Sequence, residues 1–341
     1  MSRKYNVAIV GASGAVGEEI LNVLEELEFP VNDILPLASA RSAGQSVTFK
    51  NKDFVIKELT ETTFEENDID IAFFSAGGSI SEKYAKYAVE SGALVIDNTS
   101  HFRMDSDVPL VVPECNPEDI DAWQERGIIA NPNCSTIQMV QILKPLDDAF
   151  DIKRVDVSTY QAASGAGKEG MEELVEELQA FFAFKLDEYK PKVFPHKLAL
   201  NLFPHIDVFL ENDYTKEEMK MVNETQKILH KQMEVSATCV RVPVLRSHSE
   251  AITIKFNQDF DIEKVKEILA NAPGLKLADN VSKNLYPTPM MSTDTNDTFV
   301  GRVRRDNFDE KILHLWCCAD QIRVGAATNA VRIALKWIEN N

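Results

Sequence analysis

Cys134 stands in the string Asn131-Pro132-Asn133-Cys134-Ser135-Thr136, directly after the short run Gly127-Ile128-Ile129-Ala130. Thr136, Ile137, Met139, Val140, Leu143 and Leu146 follow at helical spacing. Apolar run, turn, then helix puts the sulfur at or just before a helix N-terminus. Unpaired backbone N–H groups and the helix macrodipole there favour the thiolate, the reactive form of cysteine. Asn133 lies immediately before it. The other cysteines, Cys115, Cys239, Cys317 and Cys318, read as small buried hydrophobes or strand residues. Near the start, the chain also carries Gly11-Ala12-Ser13-Gly14-Ala15-Val16-Gly17 between a strand pattern and an amphipathic helix. Those glycines permit a tight turn and a close backbone approach to a pyrophosphate. A reactive thiol plus a nicotinamide site is equipment for aldehyde or acyl-group redox through a thioester.

Other residues suit the same chemistry, and each has a plainer reading. His248 falls where a strand gives way to a loop; there it can act as an acid/base near neutral pH, or simply decorate the surface. Arg241 lies in that strand on the face opposite Val240, Val242 and Val244, so its fork can grip a carboxylate if that face lines a cleft. Gln161 ends a strand before the glycine loop Ala163-Ser164-Gly165-Ala166-Gly167, which touches a cofactor or is only a turn. Glu217 and Lys220 share one helix face, an arrangement that is usually a solvated ion pair. Arg103 follows a strand at its C-terminal edge, where ligands bind in doubly wound sheets. At the end of the second strand, Ser39-Ala40-Arg41-Ser42 replaces the acidic residue that holds an NAD ribose. A guanidinium and hydroxyls suit a 2′-phosphate, so NADP is expected.

These residues need a frame, and the pattern supplies two. Up to about residue 133, strands alternate with helices and glycine turns, the mark of a parallel doubly wound sheet. The strands read as 5–10, 34–38, 69–75, 93–97, a Val111-Val112 strand and the run before Cys134. From about residue 153, the segments 154–161, 238–244 and 251–256 are apolar at every second position, as in a sheet with one packed face. Further strands are expected at 299–304 and 312–318, with helices at 168–182, 216–232 and 262–271. The helical stretch 323–338 returns to the first frame. The expected fold is thus a Rossmann-type dinucleotide-binding domain (1–133 and 322–341) plus an α+β domain with a mostly antiparallel sheet (134–321).

The 341 residues suffice for two such domains. Fifty-four acidic against 36 basic residues leave a net charge of −18, which repels nucleic acid and anionic membranes. The opening Met1-Ser2-Arg3-Lys4-Tyr5 carries no signal-peptide pattern, and no apolar stretch is long enough to span a bilayer. Five scattered cysteines without Cys-x-x-Cys, and six scattered histidines, argue against a disulfide framework and a zinc site. A soluble, reduced, cytoplasmic protein without metal is expected.

Taken together, the segments resemble the aspartate-β-semialdehyde dehydrogenase family nearly end to end. The strings that carry the likeness are the opening glycine motif, Phe74–Gly78, Asp97–Arg103, Val112-Pro113-Glu114, Asn131–Thr136, Gln161 with its loop, Glu217–Lys220, Arg241–Glu250 and Gln321–Asn329. The resemblance implies NADP-dependent reductive dephosphorylation of 4-phospho-L-aspartate to the semialdehyde, toward lysine, threonine and methionine, in a homodimer or homotetramer. It implies Cys134 as nucleophile, His248 as acid/base and Gln161 as the residue orienting the acyl group. Arg241 would clamp the α-carboxylate and Glu217 meet the α-ammonium, with Arg103 and Lys220 on phosphate and Asn133 at the substrate. Gly11, Ser13, Gly14, Ala15, Val16, Arg41, Ser42, Ser164, Gly165, Gln321 and Asn329 would contact the cofactor. His101 departs from the family, which usually has a small residue there; Ser13 keeps the hydroxyl of a commoner threonine.

Three rivals remain at this level: another acyl-phosphate reductase such as N-acetyl-γ-glutamyl-phosphate reductase, a cysteine hydrolase or acyltransferase built on Cys134 and His248, and a non-catalytic dinucleotide sensor. The first has a substrate without a free ammonium, which would leave Glu217 without a role.

Overall fold

The computed structural model describes residues 3–340; Met1, Ser2 and Asn341, the outermost positions of the expected first domain, lie outside the described residues. The chain divides into two compact units, Met1–Asn133 with Gly325–Asn341, and Cys134–Val324.

In the first unit the strands are β1 (Tyr5–Val10), β2 (Val31–Ala38), β3 (Ser46–Phe49), β4 (Lys52–Val55), β5 (Lys57–Glu58), β6 (Ile71–Phe74), β7 (Leu94–Asp97) and β8 (Ile128–Ala130). Six of them form a sheet in the order β5-β2-β1-β6-β7-β8, and every pair in it is parallel. The chain leaves β1 in one direction toward β2 and later returns to its other side at β6. That switch opens a crevice at the C-terminal ends of β1 and β6, where open α/β sheets bind ligands. Helix α1 (Ala15–Glu26) buries Ile20 and Leu24, and α2 (Gly78–Glu90) buries Ala85 and Ala88. The C-terminal helix, Thr328–Asn340, packs here through Val331, Ile333 and Ala334, with Trp337 edge-on to Trp123 at 5.5 Å.

One expected strand fails. Val111 and Val112 form no ladder, and a single bridge joins Leu110 to Ala130. Asn116 diverts the backbone: its Oδ1 accepts the N–H of Val112, and its Nδ2 donates to the carbonyl of Leu110.

The second unit opens with α3 (Cys134–Phe150), followed by β9 (Ile152–Gln161), α4 (Gly167–Phe182), α5 (Lys216–Ile228), β10 (Glu234–Arg241) and β11 (His248–Phe256). Then come α6 (Ile262–Asn271), β12 (Leu275–Leu277), the short α7 (Pro289–Ser292), β13 (Thr298–Arg305) and β14 (Ile312–Ala319). The sheet order is β10-β9-β11-β14-β13-β12, with the three central pairings antiparallel and the two outer ones parallel. Along β9, Val155, Val157, Thr159 and Gln161 are buried while the residues between them are half-buried. The buried face packs on α3 through Met139, Ile142, Leu143 and Leu146.

Two helices end differently from the sequence reading. The helix expected to Gln232 stops at Ile228, and His230 takes a left-handed conformation at φ 50°. The C-terminal stretch begins as a π-turn over Arg323–Ala327 before the regular helix.

Candidate active site

Three strand ends meet at one edge of the second unit's sheet. Strands β9 and β10 run parallel with Gln161 paired to Arg241, so both side chains leave at the same end. Strand β11 runs antiparallel to β9, with Ser249 opposite Tyr160, which brings its first residue, His248, to that edge as well. Helix α3, 17 residues long, turns into β9 at Asp151 (φ 55°). Such a helix spans about 25 Å and a strand of this length about 33 Å, so the helix start returns toward the strand's C-terminal end. Cys134 is that first residue. Burial lowers the pKa of the Arg241 guanidinium, and Glu217, Cys134 and Cys239 oppose that shift.

A capping box sets the acidic–basic pair. Thr215 Oγ accepts the N–H of Glu218, and Glu218 accepts the N–H of Thr215 at 2.7 Å, which fixes the first turn of α5. The other oxygen of Glu218 takes the N–H of Cys239 at 3.0 Å, tying the turn to β10 two residues before Arg241. Glu217 then points inward, 6% exposed at its side chain, and receives Gln161 Nε2 at 3.3 Å and Lys220 Nζ at 3.0 Å. Lys220 also reaches Asp207 at 2.9 Å. Burial disfavours the Lys220 charge, but Glu217 and Asp207 outweigh it and hold the pKa above its usual value. This is not the solvated pair that spacing alone suggests.

Ala162, the residue after Gln161, anchors the remaining two groups through its backbone. Its carbonyl accepts Arg241 Nη1 at 2.5 Å, and its N–H donates to His248 Nδ1 at 3.0 Å. Phe194 lies 5.5 Å from the Arg241 guanidinium, face on. Phe194 is itself held by Glu173, which accepts the backbone N–H groups of Lys192, Val193 and Phe194. A Cβ on Gly165 would lie 2.8 Å from Arg241 Nη1 and 3.3 Å from His248 Nε2, so only glycine leaves both donors unobstructed. His248 is wholly buried and opens a strand, which corrects the loop placement read from sequence. Burial, and then Arg241, push its pKa well below the ordinary histidine range.

Gln321 uses both ends of its amide inside the unit: Nε2 donates to Ser164 Oγ, and Oε1 accepts the N–H of Ser247 at 2.8 Å. The two residues it joins flank Gly165 and His248.

In the first unit, Gly11 has φ +93°, and a Cβ there would lie 3.0 Å from the backbone of Ser75. A Cβ on Gly17 would come within 2.2 Å of the Gly11 carbonyl. Both positions demand glycine, and no side chain caps α1 at Gly14. The turn opens on a cavity of about 490 Å³ lined by Gly11, Ser13, Gly14, Arg41, Ser42 and Glu58 among others. Ser13 Oγ donates to Ser42 Oγ at 3.2 Å. Ala15 and Val16 begin α1, where first-turn N–H groups face outward from the helix end. A cradle that a Cβ would fill, at an uncapped helix start, fits a dinucleotide phosphate.

Arg103 is buried, with Nε on the carbonyl of Asn131 at 2.9 Å and Nη2 on that of Asn98 at 2.8 Å. Asp97 holds its loop by accepting from Ser81 and Thr99. His101 stacks edge-on against Phe102 at 4.5 Å and leaves Arg103's bonds in place. Asn329 Nδ2 ties the carbonyl of Val111 to Oδ1 of Asn131, two residues before buried Asn133. Ala162, Phe194, Glu173 and Asp207 were not singled out from sequence. Ala162 acts through main-chain atoms, which no residue type signals.

No group of metal-ligating side chains occurs among the described residues, and none of their helices is long and apolar enough to cross a membrane.

Family models and known proteins match nearly the whole chain. The family model for the semialdehyde dehydrogenase NAD binding domain matches residues 6–123, and that for the semialdehyde dehydrogenase dimerisation domain matches residues 143–324. Aspartate-semialdehyde dehydrogenase of Campylobacter jejuni is 73% identical over 339 residues, covering 99% of each chain. The Aquifex aeolicus enzyme of the same name is 52% identical over 332 residues, 97% of each. Among solved structures, aspartate semialdehyde dehydrogenase II of Vibrio cholerae complexed with ASA superposes with a TM-score of 0.96 at 45% identity, covering 99% of both chains. The Candida albicans enzyme with NADP gives 0.75 at 25% identity, again over 99% of both.

Proposed function

The chain belongs to the aspartate-semialdehyde dehydrogenase family, and from that premise we propose that it works by covalent catalysis on Cys134 with NADP as its redox partner. The reaction is the reversible reductive dephosphorylation of 4-phospho-L-aspartate to L-aspartate 4-semialdehyde, a step toward lysine (through diaminopimelate), threonine and methionine. The Cys134 thiolate attacks the acyl carbon, and phosphate leaves against the charges of Arg103 and Lys220. A thioester remains on the sulfur. When bound, NADPH supplies the hydride that reduces this thioester. Splitting the reaction at a thioester replaces one hard step by two easier ones.

The chain's own residues orient and hold the substrate. Arg241 grips the α-carboxylate with the part of its fork that Ala162 leaves open, and Glu217 meets the α-ammonium. Gln161 orients the acyl group, Asn133 borders the substrate, and His248 is the acid/base. The observation that supports this reading most strongly is the convergence of Gln161, Glu217, Arg241 and His248 on the sheet edge to which the start of α3 returns. A buried carboxylate beside Gln161 suits a free ammonium, which favours aspartyl phosphate over an N-acetylated acyl phosphate.

NADP is favoured over NAD because Arg41, with Ser39 and Ser42, lines the cavity beside the glycine turn. Ser13 through Val16 would contact the cofactor, as would Ser164, Gly165 and Gln321, with Asn329 near its nicotinamide. We further read the protein as cytoplasmic and as a homodimer or homotetramer; exposed apolar residues of the second unit, among them Phe182, Phe184, Leu200, Leu202, Val208 and Phe209, support self-association. The deciding experiment is an NADP reduction assay with L-aspartate semialdehyde and inorganic phosphate, run beside NAD. Turnover that needs phosphate and prefers NADP supports the reading; phosphate-independent NADP reduction, or no reduction, removes it.

A further inference from the structure

Two glutamates of α4 are buried on a helix rich in charge. Glu173 and Glu177 stand four residues apart on one face, a spacing at which like charges repel, yet they are only 3% and 0% exposed. Their partners explain the placement. Glu173 accepts the N–H groups of Lys192, Val193 and Phe194, and Glu177 accepts those of Leu198 and Ala199 at 2.7 and 2.6 Å. Residues 192–199 form neither helix nor strand, so the two carboxylates supply acceptors that a ladder would otherwise provide. Hydrogen bonds to an ionised acceptor are the strong kind, and these hold the segment at two points.

The segment continues to Phe203 and covers Arg241 twice. Phe203 and Arg241 exchange both backbone bonds, Phe203 donating at 3.2 Å and Arg241 at 2.9 Å. The Phe194 ring lies against the guanidinium. Both rings pack with Leu174 of α4, Leu198 and Ala199 in a small core of their own. Gly170 makes room for it, since a Cβ there would lie 3.1 Å from the tip of the Phe194 ring. The guanidinium itself has one hydrogen bond, to the carbonyl of Ala162, and no ion pair among the described residues. A planar fork tethered at one corner can swivel, and a ring against its face stops it.

We propose that Glu173 and Glu177 are positioning residues for Arg241: they hold residues 192–203 so that Phe194 fixes the guanidinium plane in the orientation that takes the substrate's α-carboxylate. Neither glutamate touches the substrate. The role rests on the assignment of Arg241 made above and extends it to α4.

Three variants of the full chain test it in the phosphate-dependent direction. Glu177→Ala frees two N–H groups, Glu177→Gln keeps an oxygen to accept them, and Phe194→Leu removes the ring while leaving both glutamates in place. Glu177→Ala and Phe194→Leu should each raise KM for aspartate semialdehyde roughly tenfold. KM for phosphate and for NADP, and the rate at which iodoacetamide alkylates Cys134, should stay within about twofold of wild type, because only carboxylate binding is lost. Glu177→Gln should restore most of the semialdehyde KM; a glutamine as poor as alanine would overturn the holding role. So would an unchanged semialdehyde KM in the folded variants, or a loss spread evenly over all three substrates, which marks a general loosening of the fold. Phe194→Leu keeps the test open if Glu177→Ala does not fold. Arg241→Ala separates this proposal from the reading beneath it. If that variant also leaves the semialdehyde KM unchanged, the assignment of Arg241 has failed; if it raises that KM while Glu177→Ala and Phe194→Leu do not, only the role of α4 falls.

Discussion

Gln161 donates its side-chain amide to Glu217 at 3.3 Å, although the two lie 56 residues apart, and the pair is buried. Lys220 and Asp207 complete a chain of alternating charges leading out from it. An isolated carboxylate in such a place would be costly, and the chain of partners holds it in position. Glu217→Gln should therefore lower kcat/KM for aspartate semialdehyde about ten- to a hundredfold, as for loss of one charged hydrogen bond of roughly 1.5–3 kcal/mol. The loss should fall mainly on KM. Steady-state kinetics check it, and an unchanged KM would take Glu217 off the substrate.

Cys134→Ala should abolish turnover while leaving the melting curve close to wild type, because the side chain opens α3 and is only half-buried. Mass spectrometry of wild type mixed with the acyl phosphate should reveal a covalent adduct on this residue. Substantial residual turnover in the variant would rule the nucleophile out.

Arg241 donates one nitrogen to the Ala162 carbonyl, and the proposed grip on the α-carboxylate falls to the rest of its fork. A lysine there supplies a point charge without the paired donors. Arg241→Lys should cost on the order of a hundredfold in kcat/KM. Equal efficiency would exclude bidentate recognition.

Gly165 has an ordinary backbone conformation, so alanine is tolerated there by the chain but not by its neighbours. The added Cβ would press on Arg241 Nη1 at 2.8 Å and on His248 at 3.3 Å. Gly165→Ala should fold with near-normal stability and lose roughly tenfold or more in kcat/KM, since small displacements of positioned groups are costly. Wild-type kinetics in this variant would show that the gap has no role.

Glu250 is buried without a counter-charge; burial raises its pKa well above the usual carboxylate value, only partly offset by Cys317 and Gln138. The folded chain thus keeps a proton that the unfolded chain releases above about pH 4.5. Its favourable contribution is present below that pH and is lost as pH rises toward the folded-state pKa, by about 1.4 kcal/mol per pH unit. Glu250→Gln removes that slope, so its Tm should exceed wild type at pH 8.5 by more than at pH 5. His248 works on the other side, with the unfolded chain taking up protons below about pH 6.5 that the fold refuses. A Tm difference that does not grow with pH would mean Glu250 is ionised in the fold.

Much of this was legible locally. The glycine turn after β1, the start of α3 at Cys134 and the dinucleotide-type sheet each follow from contiguous residues whose spacing matches a strand or a helix turn. The false strand at Val111 shows the limit of such reading: two β-branched residues suggested a ladder, and Asn116 took the N–H of Val112 and the carbonyl of Leu110 instead. His248 likewise read as a loop residue, because nothing nearby announces that β14 and β9 will pair on both sides of the strand it opens.

What the sequence determined by itself is the inventory: a sulfur at a helix start, a phosphate cradle, a guanidinium, a carboxylate and an imidazole, all set by residue type and short-range spacing. Only the tertiary structure decided their states. Burial depends on every element packed around a group, so the direction in which the His248 and Glu250 pKa values move could not be read from their neighbours in the chain. Ala162 makes the same point most simply, because the N–H and carbonyl that hold the imidazole and the guanidinium belong to the backbone, which looks the same at nearly every residue until the fold aims it.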